Sequence, residues 1–165
     1  MPDGPAIPAS LDLIPASVDP TDALVRFAFG LDAGDREILE SAFTDDVLFD
    51  VSRVGDEQSG FPAIEGRESV VGMLLLSMGP LDTMHALSNF RVHVDADTAR
   101  LNCYAMAQHY RPGEGPVRDK TDQVMMGNAY DAELVRDGQS WRIKRLTIVT
   151  IWSQGNPDVL IDHLR

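Results

Sequence analysis

The chain has one cysteine, Cys103, in 165 residues. No intrachain disulfide can form and no second thiol stands at zinc-ligand spacing, so a reducing, cytoplasmic setting is expected. Basic residues are scarce: 14 Lys and Arg face 26 Asp and Glu, for a net charge of −12. With no basic stripe to neutralise phosphates, neither nucleic acid nor an anionic membrane is expected as a partner. Long apolar runs are missing as well. The longest nearly unbroken one, "VVGMLLLSM" from Val70 to Met78, falls far short of the roughly 20 residues of a membrane helix. The opening "MPDGPAIPASLDLIPASVDP" holds five of the ten prolines and lacks the basic start and apolar core of a signal peptide. Residues 1–18 read as an irregular proline-rich arm and 19–165 as one domain.

What is present is a change of period along the chain. Asp19 is placed to cap a helix with Pro20 in its first position, where a missing N–H costs nothing. Leu24, Phe27, Ala28 and Leu31 then recur at helical spacing, and Gly34-Asp35 ends this helix and opens a second, "REILESAF". "DVLFDVS" (46–52) predicts a strand, "SRVGDEQSGFPAIEG" a loop, and "RESVVGMLLLSM" a third helix stopped by Gly79-Pro80. Four long β-type runs follow at 83–95, 98–111, 123–136 and 140–153, with "DADT" and "RDGQ" as tight turns and "NPDVLIDHL" as a short terminal helix. Helices first and a strand meander after is an α+β plan.

The first two long runs carry His85 and His109. A two-residue turn at Ala96-Asp97 sets Val94 against Ala99 and Val92 against Leu101, both apolar pairs. On that unbroken register His85 and His109 point to opposite faces. The outer half of the first run does not alternate cleanly, and a bulge between Asn89 and Val92 would set His85 directly across from His109 on the inner face. Both registers are open on periodicity alone.

"FAFGLDAGD", "DVLFDVS", "IEGRESV", "MHALSN", "AQHYR" and "AYDAELVRDGQSWRIKRL" followed by Trp152 resemble, in that order, the SnoaL-like proteins of the nuclear-transport-factor-like superfamily. The likeness spans roughly residues 20 to 155. It implies a cone-shaped, mostly antiparallel mixed sheet curved around N-terminal helices, with a pocket inside. Asp32, His85 and His109 match the scytalone-dehydratase-like members, in which an aspartate ending the first helix pairs with a strand histidine and a second histidine lies across the pocket. The resemblance implies a site free of cofactor and metal, and favours the bulged register. Two features depart from that pattern. Leu31 and Val51 stand where those enzymes carry the tyrosines that polarise the substrate carbonyl, and Asp131 and Glu133 or their neighbours replace a Ser and an Asn. Scytalone itself is a poor candidate substrate.

Two imidazoles flanking a ligand suit proton transfer near neutral pH. With Asp32 fixing its tautomer, His85 is the candidate base for an acidic C–H, and His109 the candidate donor to a departing hydroxyl or an enolate. That chemistry is dehydration or isomerisation of a hydrophobic, carbonyl-bearing small molecule, polyketide- or terpenoid-like. The candidate walls are Phe29, Phe49, Val51, Met125 or Met126, Tyr130, and Ile151 or Trp152, with Asn89 and Asn128 as orienting amides. Cys103 reads as a small core residue, and His93 and His163 as solvent-exposed. Two other readings compete: a polyketide cyclase closing rings by aldol chemistry, and a non-catalytic binding or assembly cone. The polar trio argues for chemistry, because unpaired polar groups are costly in an apolar cavity. The resemblance also implies a homo-oligomer, dimer or trimer, with Tyr104, Met106 and Tyr110 on the exposed strand face available for contact.

Overall fold

The computed structural model describes residues 19–165 except 55, 56, 59 and 60, and the backbone alone at 52–54, 57 and 58. The expected arm, 1–18, lies outside the described residues. Helix α1 (Thr21–Ala33) starts one residue later than Pro20, with Asp19 Oδ1 accepting the Thr21 N–H at 2.9 Å. It stops at Gly34, whose φ of 62° is the left-handed conformation that glycine adopts without steric cost. Asp35 then accepts the Ile38 N–H at 3.0 Å and caps α2 (Arg36–Ala42). The chain reverses within two residues, which packs α2 against α1.

Strand β1 (Phe43–Val54) follows α2 directly and is longer than the 46–52 run expected. The stretch read as loop contains two short strands, β2 (Glu57–Gln58) and β3 (Ile64–Glu65), both pairing back onto β1. Helix α3 (Arg67–Ser77) precedes β4 (Asp82–Asp95), β5 (Thr98–Tyr110), β6 (Gln123–Asp137) and β7 (Ser140–Gly155). The short terminal helix expected at 156–164 is two short 3₁₀ helices, Pro157–Leu160 and Asp162–Leu164. No helix among the described residues is long and apolar enough to cross a membrane.

The strands form one mixed curved sheet in the order β2-β1-β7-β6-β5-β4, with β3 also on β1; β1 and β7 are parallel and every other pair is antiparallel. The helices lie on its inner face, as the resemblance implied. β5 shows the reason: Ala99, Leu101, Cys103, Ala105, Ala107 and His109 are buried, whereas Thr98, Arg100, Asn102, Tyr104 and Met106 are exposed. Phe27 of α1 sits at the centre of the core, its ring 5.7 Å from Phe43, 6.2 Å from Phe49 and 6.1 Å from Tyr130. The buried Arg26 guanidinium ties the layers together, with Nε on Asp22 at 2.8 Å, Nη2 on the Trp141 carbonyl at 2.6 Å and Nη1 on the Ser41 carbonyl. Cys103 is core, as expected, and burial pushes its thiol up to about 11.

A β4 bulge decides where the histidines face. Val94 pairs with Ala99 and Arg91 with Asn102, but Ser88 pairs with Tyr104, so Asn89 and Phe90 together oppose Cys103. Asn89 takes φ 59°, a conformation asparagine tolerates better than most residues. The extra residue belongs to β4, so beyond it the register shifts toward lower β5 numbering than the bulged alternative supposed. His85 faces Ala107, and His109 faces Thr83. Both histidines are on the inner face, diagonal to each other rather than directly opposed.

Candidate active site

The inner face of the cone lines a half-open cavity of about 240 Å³. Helix α1 contributes Phe27 and Leu31, and α3 contributes Met73, Leu74, Ser77 and Met78. The strands add Phe49, Val51, His85, Ala107, His109, Met126, Asn128, Tyr130, Ile148 and Thr150; Phe61 and Leu160 close it from the β2–β3 connection and the terminal segment. Ala107 is the small residue of β5 that lines the cavity between His85 on β4 and Met126 on β6.

Asp32 sits in the last turn of α1, beside β4. Its Oδ1 lies 2.6 Å from His85 Nδ1 and accepts the Thr83 hydroxyl at 2.8 Å, and its Oδ2 accepts the His85 backbone N–H at 2.9 Å. The side chains of His85 and Asp32 are only 5% and 15% exposed. Burial alone would raise the Asp32 carboxyl, but the hydrogen bonds and charge of His85, joined by Thr83, outweigh it and hold the group below the usual carboxylate range. An ionised carboxylate can only accept, so Nδ1 of His85 carries a hydrogen, and in the neutral ring Nε2 is a bare lone pair.

His109 is 3% exposed, and its ring centroid is 5.5 Å from that of His85, the planes at 85°. Burial, reinforced by the nearby His85, lowers its pKa to about 4, against smaller opposing effects from the Val124 carbonyl and Asp32. It is neutral at pH 7. Its Nδ1 is 3.3 Å from that carbonyl, which again must be a donated N–H, leaving Nε2 as an acceptor. That tautomer departs from the expected donor role: a neutral His109 held in this way has no Nε2 proton to give.

Of the expected wall residues, Phe49, Val51, Met126, Asn128 and Tyr130 line the cavity. Phe29, Asn89 and Trp152 do not. Phe29 is two residues from Phe27 and so faces away from it on the helix. Asn89 is the exposed bulge residue beside a groove of the outer face. Trp152 pairs with Gly127, and its indole sits against that glycine, where a Cβ would be 2.2 Å from the ring. An irregularity at Ile151 puts Thr150 inside and Trp152 outside although both have the same parity. Asp131 lies on the outer face, bound to Arg100 and Asn102. His93 is exposed, but the ring nitrogens of His163 are buried, contrary to expectation.

Sequence reasoning missed Phe27, Leu31, Phe61, Met73, Leu74, Ser77, Met78, Ala107, Ile148, Thr150 and Leu160. For α1 the signal was present: the Leu24-Phe27-Ala28-Leu31 stripe read as core also faces the cavity. Tyr130 is buried, and burial raises its phenol, so it stays protonated near neutral pH. Asn128 is buried too, and its Oδ1 has no hydrogen-bond partner among the described residues.

A model of the SnoaL-like domain matches residues 20–147. The chain belongs to the SnoaL-like domain family. It is 32% identical over 156 residues to terrestric acid biosynthesis cluster protein E of Penicillium crustosum, covering 92% of this chain and 94% of that one. A scytalone dehydratase-like protein of Novosphingobium aromaticivorans shares the fold with a TM-score of 0.67 at 18% identity, over 82% of this chain and 84% of that chain. Hexachlorocyclohexane dehydrochlorinase LinA-type3 of Novosphingobium barchaimii does so with a TM-score of 0.66 at 18% identity, over 83% and 87%. At these identities the two structural likenesses concern the fold alone.

Proposed function

We propose that this SnoaL-like protein is a cofactor-independent acid–base lyase or isomerase acting on a small, apolar carbonyl compound. The observation that carries the reading is the buried Asp32–His85 pair, joined at 2.6 Å on the wall of an apolar cavity. Hydrocarbon walls give no reason to bury a carboxylate and two imidazoles unless those groups do something there. The similarity to a biosynthesis-cluster protein of a fungus supports a small-molecule substrate.

His85 Nε2 takes a proton from the carbon next to the carbonyl, and Asp32 stabilises the resulting imidazolium. The electron pair moves onto the carbonyl oxygen, where the Tyr130 phenol and the Asn128 amide are the donors able to receive it. The enolate then collapses, the C–O bond to the β-carbon breaks, and the departing hydroxide takes the proton from His85 Nε2 to leave as water. His109 Nε2 accepts a hydrogen bond from that hydroxyl beforehand and orients it. If the proton returns to another carbon instead, the outcome is isomerisation. The cavity lies below the usual 300–1,000 Å³ of drug-sized sites and has no Lys or Arg among its described lining residues. An uncharged compound of one or two rings therefore fits better than a polycyclic or an anionic one. Copies of the chain are proposed to associate through the outer sheet face.

Deuterium exchange at the α-carbon of a panel of one- and two-ring β-hydroxy ketones in D₂O tests this directly. Removal of the α-proton is the first step of elimination, isomerisation and aldol closure alike, and it is read as exchange or, where the proton passes straight to the leaving hydroxide, as loss of water. His85→Gln should slow it by roughly 10²- to 10⁴-fold, the usual contribution of one acid–base group. A wild-type protein that binds panel members but neither exchanges nor dehydrates them faster than buffer would leave the binding-cone reading in its place.

A further inference from the structure

Asp32 is held by more than its histidine. Thr83 and His85 are two residues apart on β4, so their side chains leave the same face, toward the end of α1. The Thr83 hydroxyl donates to Oδ1 at 2.8 Å, and the His85 backbone N–H donates to Oδ2 at 2.9 Å. One donor on each oxygen fixes the plane of the carboxylate. Within that plane Oδ1 is brought to 2.6 Å from His85 Nδ1. Without the hydroxyl only Oδ2 would be anchored by the backbone, and χ2 of an aspartate is a broad torsion that lets the group turn. Oδ1 would then be held by the His85 ring alone, and the carboxylate would be freer to turn with it. Among the described residues, Thr83 and His85 are the only side chains that donate to this carboxylate.

We propose that Thr83 is a positioning residue of the acid–base pair: its hydroxyl sets the Asp32 carboxylate so that His85 carries its hydrogen on Nδ1 and turns a bare Nε2 to the cavity. The inference rests on the pairing of Asp32 with His85 described above, but not on which reaction follows. It also separates Thr83 from ordinary strand packing. Valine has nearly the same shape and the same β-branched preference for a strand, and lacks only the hydroxyl.

Ring ¹⁵N spectra of labelled protein in mildly alkaline buffer read the tautomer without any substrate. The His85 signals are assigned by their loss in His85→Gln. In the wild type, Nδ1 should be protonated and Nε2 bare. In Thr83→Val and in Thr83→Ala the two resonances should move toward each other as tautomers mix, and Thr83→Ser should restore the wild-type pattern. A wild-type pattern in Thr83→Val, with the pattern lost in Asp32→Ala, overturns the role of Thr83 and leaves the Asp32–His85 pair standing. A wild-type pattern in Asp32→Ala removes the pair itself. Failure of Thr83→Ser to restore the pattern would assign the effect to the methyl group and overturn the proposal as well.

Discussion

His109 couples stability to pH. Its folded-state pKa is about 4 against an ordinary 6.5, so between those values the unfolded chain binds a proton that the folded one refuses. Stability from this group is complete above pH 6.5 and is lost as pH falls toward 4, by about 3 kcal/mol if the full shift is expressed. Asp32, lowered from 3.8, acts in the same direction, but only below the ordinary carboxylate range. The urea midpoint of the wild type should therefore fall steadily as pH drops from 6.5 to 4, and His109→Gln should flatten that slope. An unchanged slope in the variant would mean that His109 is solvated and titrates normally. The neutral His109 was not legible in the sequence, which shows a second histidine but not the Val124 carbonyl that sets its tautomer.

At the scale of elements, the β4 bulge turns His85 to the inner face beside Asp32. Asn89 at φ 59° should accept glycine with little change, since glycine adopts that conformation freely. Asn89→Val should cost about 1–2 kcal/mol, the penalty of a left-handed conformation for an ordinary side chain, measurable as a lower urea midpoint at unchanged m-value. A valine variant as stable as wild type would show that the strand reshapes itself there. Deleting Asn89 should do more: alternation would carry Thr83 and His85 to the outer face together, and the exchange activity expected of His85 should disappear. The sequence left a bulge as one of two open registers, because the alternation of β4 is unclear before Phe90, and only the family resemblance favoured it. It did not disclose the direction of the shift. Parity records which face a residue takes, and both directions bring His85 inward, so only backbone pairing distinguishes Ala107 from His109 as its neighbour. The second bulge, at Ile151, was missed for a related reason. Thr150 and Trp152 look equivalent by alternation, and a large indole suggests a pocket wall until its strand is known to break step.

At the scale of the molecule, that indole belongs to a different surface. Met84, Tyr104, Met106, Ile151 and Trp152 are all exposed, Trp152 by 43%, and Met106 and Trp152 flank Gly127 from its two neighbouring strands. Aromatic and methionine side chains gathered on one uncovered sheet face have the composition of a protein interface. A second copy of the chain is the occupant expected here. Each copy carries a charge of −12, so association must overcome mutual repulsion and should tighten with added salt. Sedimentation should show a dimer or trimer for the wild type, and Trp152→Glu should shift it toward monomer by placing a charge in the centre of the contact. Because Trp152 lies across the sheet from the cavity, the same substitution should leave the ring ¹⁵N pattern of His85 unchanged. A wild-type chain that sediments as a monomer in high salt would remove this face as an interface without touching the site. Loss of the His85 pattern in Trp152→Glu would show instead that the two faces of the sheet are coupled through Gly127 and Ala107.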